Sequence, residues 1–166
     1  YRFVIRLVAL FATAIPAVLA VMMFTHFQPG GGVQFLQKAP WVASLGISYH
    51  VGVDGLNVAL VLMGALVAFA ATCVSWEIQD RQKEYYFLLL LMIGGILGAF
   101  ASLDIFFFFF FHELALIPTF IMIGVWGRGA DKNYATFQIT LYLTIGALIA
   151  LVGLIALYLQ SGARTF

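Results

Sequence analysis

The sequence predicts an all-α integral membrane protein that crosses the bilayer five times. Of its 166 residues, 64% are hydrophobic and only 9% are charged, whereas a soluble domain carries about 25% charged residues. The apolar stretches are long and continuous rather than alternating, which indicates membrane helices and not membrane strands. The predicted spans, within a single membrane domain of residues 1–166, are 7–27, 56–75, 85–102, 104–127 and 134–159.

The first span and the connection after it have simple boundaries. A basic lead-in ends at Arg6, and Pro16 predicts a kink inside the span. The connection at 28–50 is the longest, and its Gly-rich start ends the first helix. Alternation over 46–50 predicts a short strand. Asp54 stands where it can cap the second span.

The later spans are separated by short charged loops. Residues 76–84 form the most charged patch and predict a solvated loop. The third span carries Gly94, Gly95 and Gly98, which predict a small-residue face for close helix packing. A second charged loop follows at 128–133. Because these loops are short, successive helices are expected to be antiparallel neighbours.

Loop charges predict the orientation in the membrane. With five spans, six basic residues fall on one side of the membrane and two on the other. Because Lys and Arg are enriched in cytoplasmic loops, the side with six is predicted to be cytoplasmic. The six are Arg2, Arg6, Arg81, Lys83, Arg128 and Lys132; the two are Lys38 and Arg164. We therefore expect a bacterial cytoplasmic (inner) membrane protein with its N-terminus cytoplasmic and its C-terminus outside. The net charge of +1 predicts no nucleic-acid partner.

The fourth span carries the strongest candidate for chemistry, Glu113. It lies nine residues after Asp104, about 13 Å deeper at ~1.5 Å per residue, close to the middle of a hydrocarbon core of roughly 30 Å. An acid at that depth costs about 2.5–3.5 kcal/mol, while each Phe of the run 106–111 contributes roughly 0.3–0.6 kcal/mol. Acids kept at such depth usually mark ion or proton pathways. Glu113 is thus predicted to transfer protons, the alternative being an acid that only fixes helix packing.

The neighbours of Glu113 add to this hypothesis. His112 is a possible accessory, since histidine changes charge near neutral pH, although a neutral hydrogen-bonded role is equally open. Pro118 cannot donate to the carbonyl of Leu114 and predicts a helix break beside the acid. No Lys or Arg occurs between Glu84 and Gly127. Either Glu113 stays neutral here, or its cationic partner lies outside this sequence.

Polar side chains on the fifth span form a possible polar path. Thr136, Thr140 and Thr144 recur every four residues, and Gln138 and Tyr142 form a second such pair. Side chains of this kind either hold water or hydrogen-bond a neighbouring helix. The second interpretation is favoured for the threonines.

Metal and cofactor sites are not expected in this chain. His26, His50 and His112 are too far apart to suggest metal ligation, and no redox-cofactor motif occurs. The single cysteine, Cys73, excludes an internal disulfide. We expect no cofactor and no metal.

The segment FFFHELALIPTFIMIGVWG at 109–127 resembles FFxxWELxLIPxxxLIxxWG, a pattern of the antiporter-like membrane subunits of the proton-pumping NADH:quinone oxidoreductase, complex I. It is most similar to the chain M type, called chain 4 in mitochondria. Residues 46–56 resemble GISxHxxxDGLS, and 73–76 resemble the CSW segment. Residues 135–142 are similar to ATKFFLYT, with Phe137 or Gln138 where its lysine stands. His112 replaces the usual tryptophan.

The resemblance implies a fourteen-helix subunit with inverted five-helix repeats, in which the glutamate matched by Glu113 pairs with a lysine two helices later. This chain would hold helices two to six, as a fragment of a longer protein that ends before that lysine. Implied partners are the lipid bilayer and other membrane subunits of the complex, including further antiporter-like subunits. NADH and quinone would be reached only through other subunits. The alternatives are a multisubunit cation/proton antiporter or membrane-bound hydrogenase, and a structural membrane scaffold.

Overall fold

The computed structural model describes residues 1–42, 44 and 46–161. Within these residues, five helices are long and apolar enough to cross a membrane, which confirms the all-helical membrane fold. A two-stranded hairpin lies between the first two helices. The elements are α1 (Arg2–His26), β1 (Gln34–Val42), β2 (Ile47–Val53), α2 (Asn57–Val74), α3 (Gln82–Ala101), α4 (Ile105–Trp126) and α5 (Lys132–Ser161).

The hairpin is the part of the fold that the sequence predicts least well. β2 contains the strand expected near residues 46–50, but its partner β1 was not expected. β1 is exposed along nearly its whole length. Because neither of its faces is buried, its sequence has no need of the alternating apolar residues that indicate a strand. Pro40 also argues against a strand interior, and it is tolerated because β1 is an edge strand.

Consecutive helices pack against one another, as the short loops predict. Small residues on one face of α1 allow close contact with α2: Ala17 and Ala20 pack with Val58, Val61 and Ala65. A second buried cluster joins α1 and α2 to α3 and includes Ala9, Ala68 and Tyr86. Pro16 lies inside α1 without ending it.

Two of the three glycines predicted as a packing face bring α3 against α4. A Cβ atom on Gly95 would lie 2.7 Å from the backbone nitrogen of Ala115, and one on Gly98 would lie 2.5 Å from the ring of Phe111. A Cβ atom on Gly94 would meet nothing within 4 Å. The α3–α4 contact therefore depends on Gly95 and Gly98, and Gly94 is not part of it.

The start of α2 is closed by a reciprocal cap. The Asp54 carboxylate accepts from the backbone N–H groups of Leu56 (2.9 Å) and Asn57 (2.8 Å), which confirms Asp54 as the cap. The Asn57 side-chain oxygen in turn accepts from the Asp54 N–H at 2.6 Å. The amide nitrogen of Asn57 also donates to the carbonyls of Gly52 (3.2 Å) and Phe100 (3.0 Å). One side chain thus joins β2, α2 and the end of α3.

Replacing Asn57 with alanine is expected to lower the free energy of unfolding by about 1–3 kcal/mol, because it removes three hydrogen bonds and leaves partly buried carbonyls unpaired. Thermal denaturation of the purified full-length subunit in detergent would measure the change. Asn133→Ala, at an exposed position in the first turn of α5, is the matched control. Equal melting temperatures for the two variants would contradict the prediction.

Most residues of the charged segment 76–84 are exposed, although Gln82, the first residue of α3, is buried. Gln82 is only 5% exposed, and the indole N–H of Trp126 donates to the Asp80 carbonyl at 3.0 Å. The guanidinium of Arg81 lies 5.8 Å from the centre of the Trp126 ring. The prediction of a solvated loop is therefore confirmed for most of the segment. Trp126 of α4 contacts its Asp80–Arg81 part.

Candidate functional site

Glu113 lies at the ninth position of α4, close to the middle of a helix of 22 residues. Asp104 caps this helix: its carboxylate accepts from the N–H groups of Phe106 (2.9 Å) and Phe107 (3.2 Å). Cap and acid therefore stand nine residues apart, as the sequence predicts. The Glu113 side chain is 34% exposed, so it is partly shielded by its neighbours.

The His112 and Glu113 side chains turn toward each other. Although adjacent residues on a helix point about 100° apart, His112 Nδ1 lies 3.6 Å from Glu113 Oε1. The imidazole stacks on Phe109, with ring centroids 6.3 Å apart. Nδ1 is buried and has no hydrogen-bond partner among the described residues. A small rotation would convert the 3.6 Å contact into a direct hydrogen bond, through which the two groups could exchange a proton.

Glu113 lines an apolar cleft of about 570 Å³ between the first half of α4 and the second half of α5. Phe109 and Phe110, which precede Glu113 by four and three residues and so share its helical face, line the same cleft. The remaining lining residues are Ile105, Phe106, Leu151, Ile155, Tyr158 and Leu159. Because charges interact more strongly in such low-dielectric surroundings, any cation that approached Glu113 would act on it strongly.

The helix break predicted at Pro118 does not occur. α4 is continuous from Ile105 to Trp126, and Pro118 is fully buried within it. Proline removes one helical hydrogen bond, but the bonds on either side and the tight contact with α3 keep the segment helical. Thr119 occupies this turn; its hydroxyl donates to the Ala115 carbonyl at 2.9 Å and lies 3.2 Å from Met92 Sδ.

The α5 threonines bond mainly to their own helix. The Thr136 hydroxyl donates to the Lys132 carbonyl (2.6 Å), and the Thr140 hydroxyl donates to the Thr136 carbonyl (2.7 Å). Thr136 is buried next to Gly124 of α4. Gly124 lies 11 residues beyond Glu113, about 16 Å along the helix at ~1.5 Å per residue. Thr136 and Glu113 are thus not brought together.

The other polar residues of α5 are more exposed. Tyr142 is 70% exposed, Thr144 is exposed and Gln138 is half-buried. Over residues 1–42, 44 and 46–161, no hydrogen bond links any of the five proposed path residues to Glu113. A path through them would need intervening water or other side chains.

Two further observations describe the electrostatics of the site. In the described part of the chain, Arg81 pairs with Glu84, and the basic side chain near Glu113 is that of His112. No Lys or Arg therefore reaches the Glu113 carboxylate there. The same residues contain no group of three metal-ligating side chains. The convergence of His112 and Glu113 was missed from the sequence because it depends on side-chain rotamers.

Comparison with known proteins identifies the family. Residues 102–166, which include α4 and α5, match the family model described as NADH:quinone oxidoreductase/Mrp antiporter, transmembrane. NADH-quinone oxidoreductase subunit M of Rhodobacter capsulatus is 33% identical over 156 residues, or 93% of this chain and 30% of that protein. The chain belongs to this family.

Other members support the assignment. NAD(P)H-quinone oxidoreductase chain 4 of Gloeobacter violaceus is 35% identical over 81% of this chain and 25% of its own length. F(420)H(2) dehydrogenase subunit M of Methanosarcina mazei is 32% identical over 81% of this chain and 28% of its own length. A chain of respiratory complex I from Thermus thermophilus superposes with a TM-score of 0.84 at 29% identity, covering 97% of this chain and 33% of that one. The chain thus spans between a quarter and a third of these relatives. The resemblance to the chain M type is confirmed.

Proposed function

We propose that this chain is part of a proton-translocating membrane subunit of a respiratory NADH:quinone oxidoreductase, in which redox energy from other subunits drives proton transfer through Glu113. The observation that carries the proposal is the position of this acid: mid-helix, in an apolar cleft, 3.6 Å from His112. The relatives that are named as subunits M and chains 4 of such oxidoreductases support it.

The proposed mechanism uses the protonation of one carboxyl group. In this mechanism, Glu113 alternates between its protonated form and its carboxylate. A cation brought close stabilises the carboxylate and releases the proton, and withdrawal of the cation restores the neutral acid. His112, the accessory group, would receive or deliver the proton. Redox chemistry, NADH and quinone belong to other subunits, and we assign no cofactor to this chain.

The proposed orientation follows the loop charges. Six basic residues against two assign the α2–α3 and α4–α5 loops to the cytoplasm. The hairpin and the Asp104 end of α4 are then outside. The partners are other membrane subunits of the complex, in what we propose to be a bacterial cytoplasmic membrane.

A second function is favoured by the family description, which also names Mrp antiporters. A subunit of a cation/proton antiporter would use the same acid without redox chemistry, and a membrane-bound hydrogenase would use another electron donor. A purely structural scaffold would use Glu113 for packing alone.

Inside-out membrane vesicles that contain the whole complex distinguish these functions. Adding NADH and quinone should acidify the vesicle lumen, reported by a pH-sensitive dye, while a sodium gradient alone should move no protons. Vesicles from a strain that lacks this subunit are the control. Sodium-driven proton movement without NADH would favour the antiporter. Loss of assembled complex without the subunit, with normal NADH-driven acidification per remaining complex, would favour the scaffold.

A further inference from the structure

The cap of α4 makes a second, long-range contact. Asp104 is 1% exposed, and only its Oδ1 atom is used to cap the helix. Its Oδ2 atom accepts a hydrogen bond from the backbone N–H of Ser48, at 3.0 Å and 56 residues away in the sequence. Ser48 lies in β2 opposite Pro40 of β1. One carboxylate therefore joins the hairpin to the helix that carries Glu113.

The chemistry of this contact is specific to a carboxylate. An ionised carboxylate only accepts hydrogen bonds, so it can serve three N–H donors at once. In the described part of the chain, no side-chain nitrogen of Lys, Arg or His lies within 4 Å of the Asp104 carboxylate oxygens. The three N–H groups and the positive end of the helix dipole offset the loss of water around the buried charge. A cap alone would be served equally well by serine or asparagine.

Backbone contacts continue the junction beside the carboxylate. The N–H of Leu103 donates to the His50 carbonyl at 2.8 Å, and Ser102 forms a bridge with Val51. The segment that enters α4 thus pairs with β2 through one isolated bridge and one backbone hydrogen bond. Any displacement of β2 would act directly on the first turn of α4.

Aromatic rings extend the junction along the helix. The rings of Trp41 and Tyr49 lie 6.0 Å and 5.5 Å from that of Phe107, and Tyr49 also lies 6.5 Å from Phe111. Phe111 directly precedes His112 and Glu113. The hairpin therefore contacts the two helical turns that lead to the proposed proton-transfer pair.

We propose that Asp104 is a positioning residue, which fixes the hairpin to α4 and thereby sets the position of His112 and Glu113. This inference rests on the function proposed above for Glu113. Phe107 and Glu113 are six residues apart, about 9 Å of continuous helix. A change at the hairpin is thus transmitted to the acid through covalent helix geometry.

Three variants of the full-length subunit in the assembled complex test the proposal. Asp104→Asn keeps the cap oxygen but turns an NH₂ group toward the Ser48 N–H. Asp104→Ser keeps a good cap and removes the contact with Ser48. Asp104→Asn combined with Ser48→Pro removes the opposing N–H, which in the original protein donates to Asp104.

Two measurements are made at matched amounts of complex. Hydrogen exchange of the peptide that spans residues 47–53 is expected to become about tenfold faster in both single variants, because a buried charge-assisted hydrogen bond is lost. The number of protons pumped per NADH is expected to fall by at least roughly twofold, since displaced His112 and Glu113 side chains would transfer protons less efficiently. The double variant is expected to recover a higher pumping ratio than Asp104→Asn.

The outcomes separate the two proposals. Unchanged exchange in the hairpin, or faster exchange with unchanged pumping per NADH, would overturn the positioning role. A higher pumping ratio in the double variant than in Asp104→Asn would support the positioning role, because a second substitution would not reverse a general loss of stability. Failure of the function proposed for Glu113 is detected separately, as normal pumping by the Glu113→Gln complex.

Discussion

Replacing Glu113 with glutamine in the full-length subunit is expected to remove this subunit's share of the protons pumped per NADH while the complex still assembles. Glutamine has nearly the same shape and keeps the side chain polar, but it cannot release a proton. Groups that transfer protons directly contribute about 10²–10⁴-fold to the rate of their step. The effect is measured as lumen acidification per NADH oxidised in inside-out vesicles.

Glu77→Gln is the matched control for this experiment. It makes the same chemical change at an exposed position in the turn that follows α2, outside the cleft, and is expected to leave pumping unchanged. Normal pumping by the Glu113→Gln complex would refute the proton-transfer role. Poor assembly with normal transport per remaining complex would instead indicate a packing role for the acid.

Replacing Gly95 with alanine is expected to destabilise the subunit by about 2–3 kcal/mol, within the range for overpacked interiors. The new methyl group would lie 2.7 Å from the Ala115 backbone nitrogen and 2.8 Å from the Phe111 carbonyl oxygen. Backbone atoms cannot swing aside as a flexible side chain does, so α3 and α4 must move apart. The separation would disturb the helix that carries Glu113.

Gly94→Ala tests the same substitution one residue away, where the added methyl group meets nothing within 4 Å. This variant is expected to be as stable as the original or slightly more stable, because alanine favours helix over glycine. Thermal melting of the purified subunit and the yield of assembled complex would compare the two. Similar melting temperatures would contradict the packing described for Gly95.

Features that depend on local sequence were predictable. The five helices follow from continuous apolar stretches, and the caps at Asp54 and Asp104 follow from an acid that directly precedes an apolar run. The alternation over 46–50 indicated β2. In each case, the sequence pattern that predicts the feature and the residues that form it lie close together in the chain.

Features that depend on distant contacts were not predictable. β1 is stabilised by pairing with β2 rather than by its own pattern, and the Asp104–Ser48 bond joins residues 56 positions apart. Gln82 looked like part of a charged loop, yet it is buried. Helical spacing is enough to place Phe109, Phe110 and Glu113 on one face of α4, but it does not reveal that His112 turns back toward the acid.

The helix that carries Glu113 is held at both ends. Asp104 joins one end to the hairpin, and the Trp126 indole joins the other to the α2–α3 loop. Such a helix resists sliding as a unit, a motion that takes microseconds to milliseconds, whereas side-chain rotations take picoseconds to nanoseconds. We therefore expect the proton to be moved by rotation of Glu113 and His112 on a stationary helix. The slow step would then be the arrival of charge or water at the cleft.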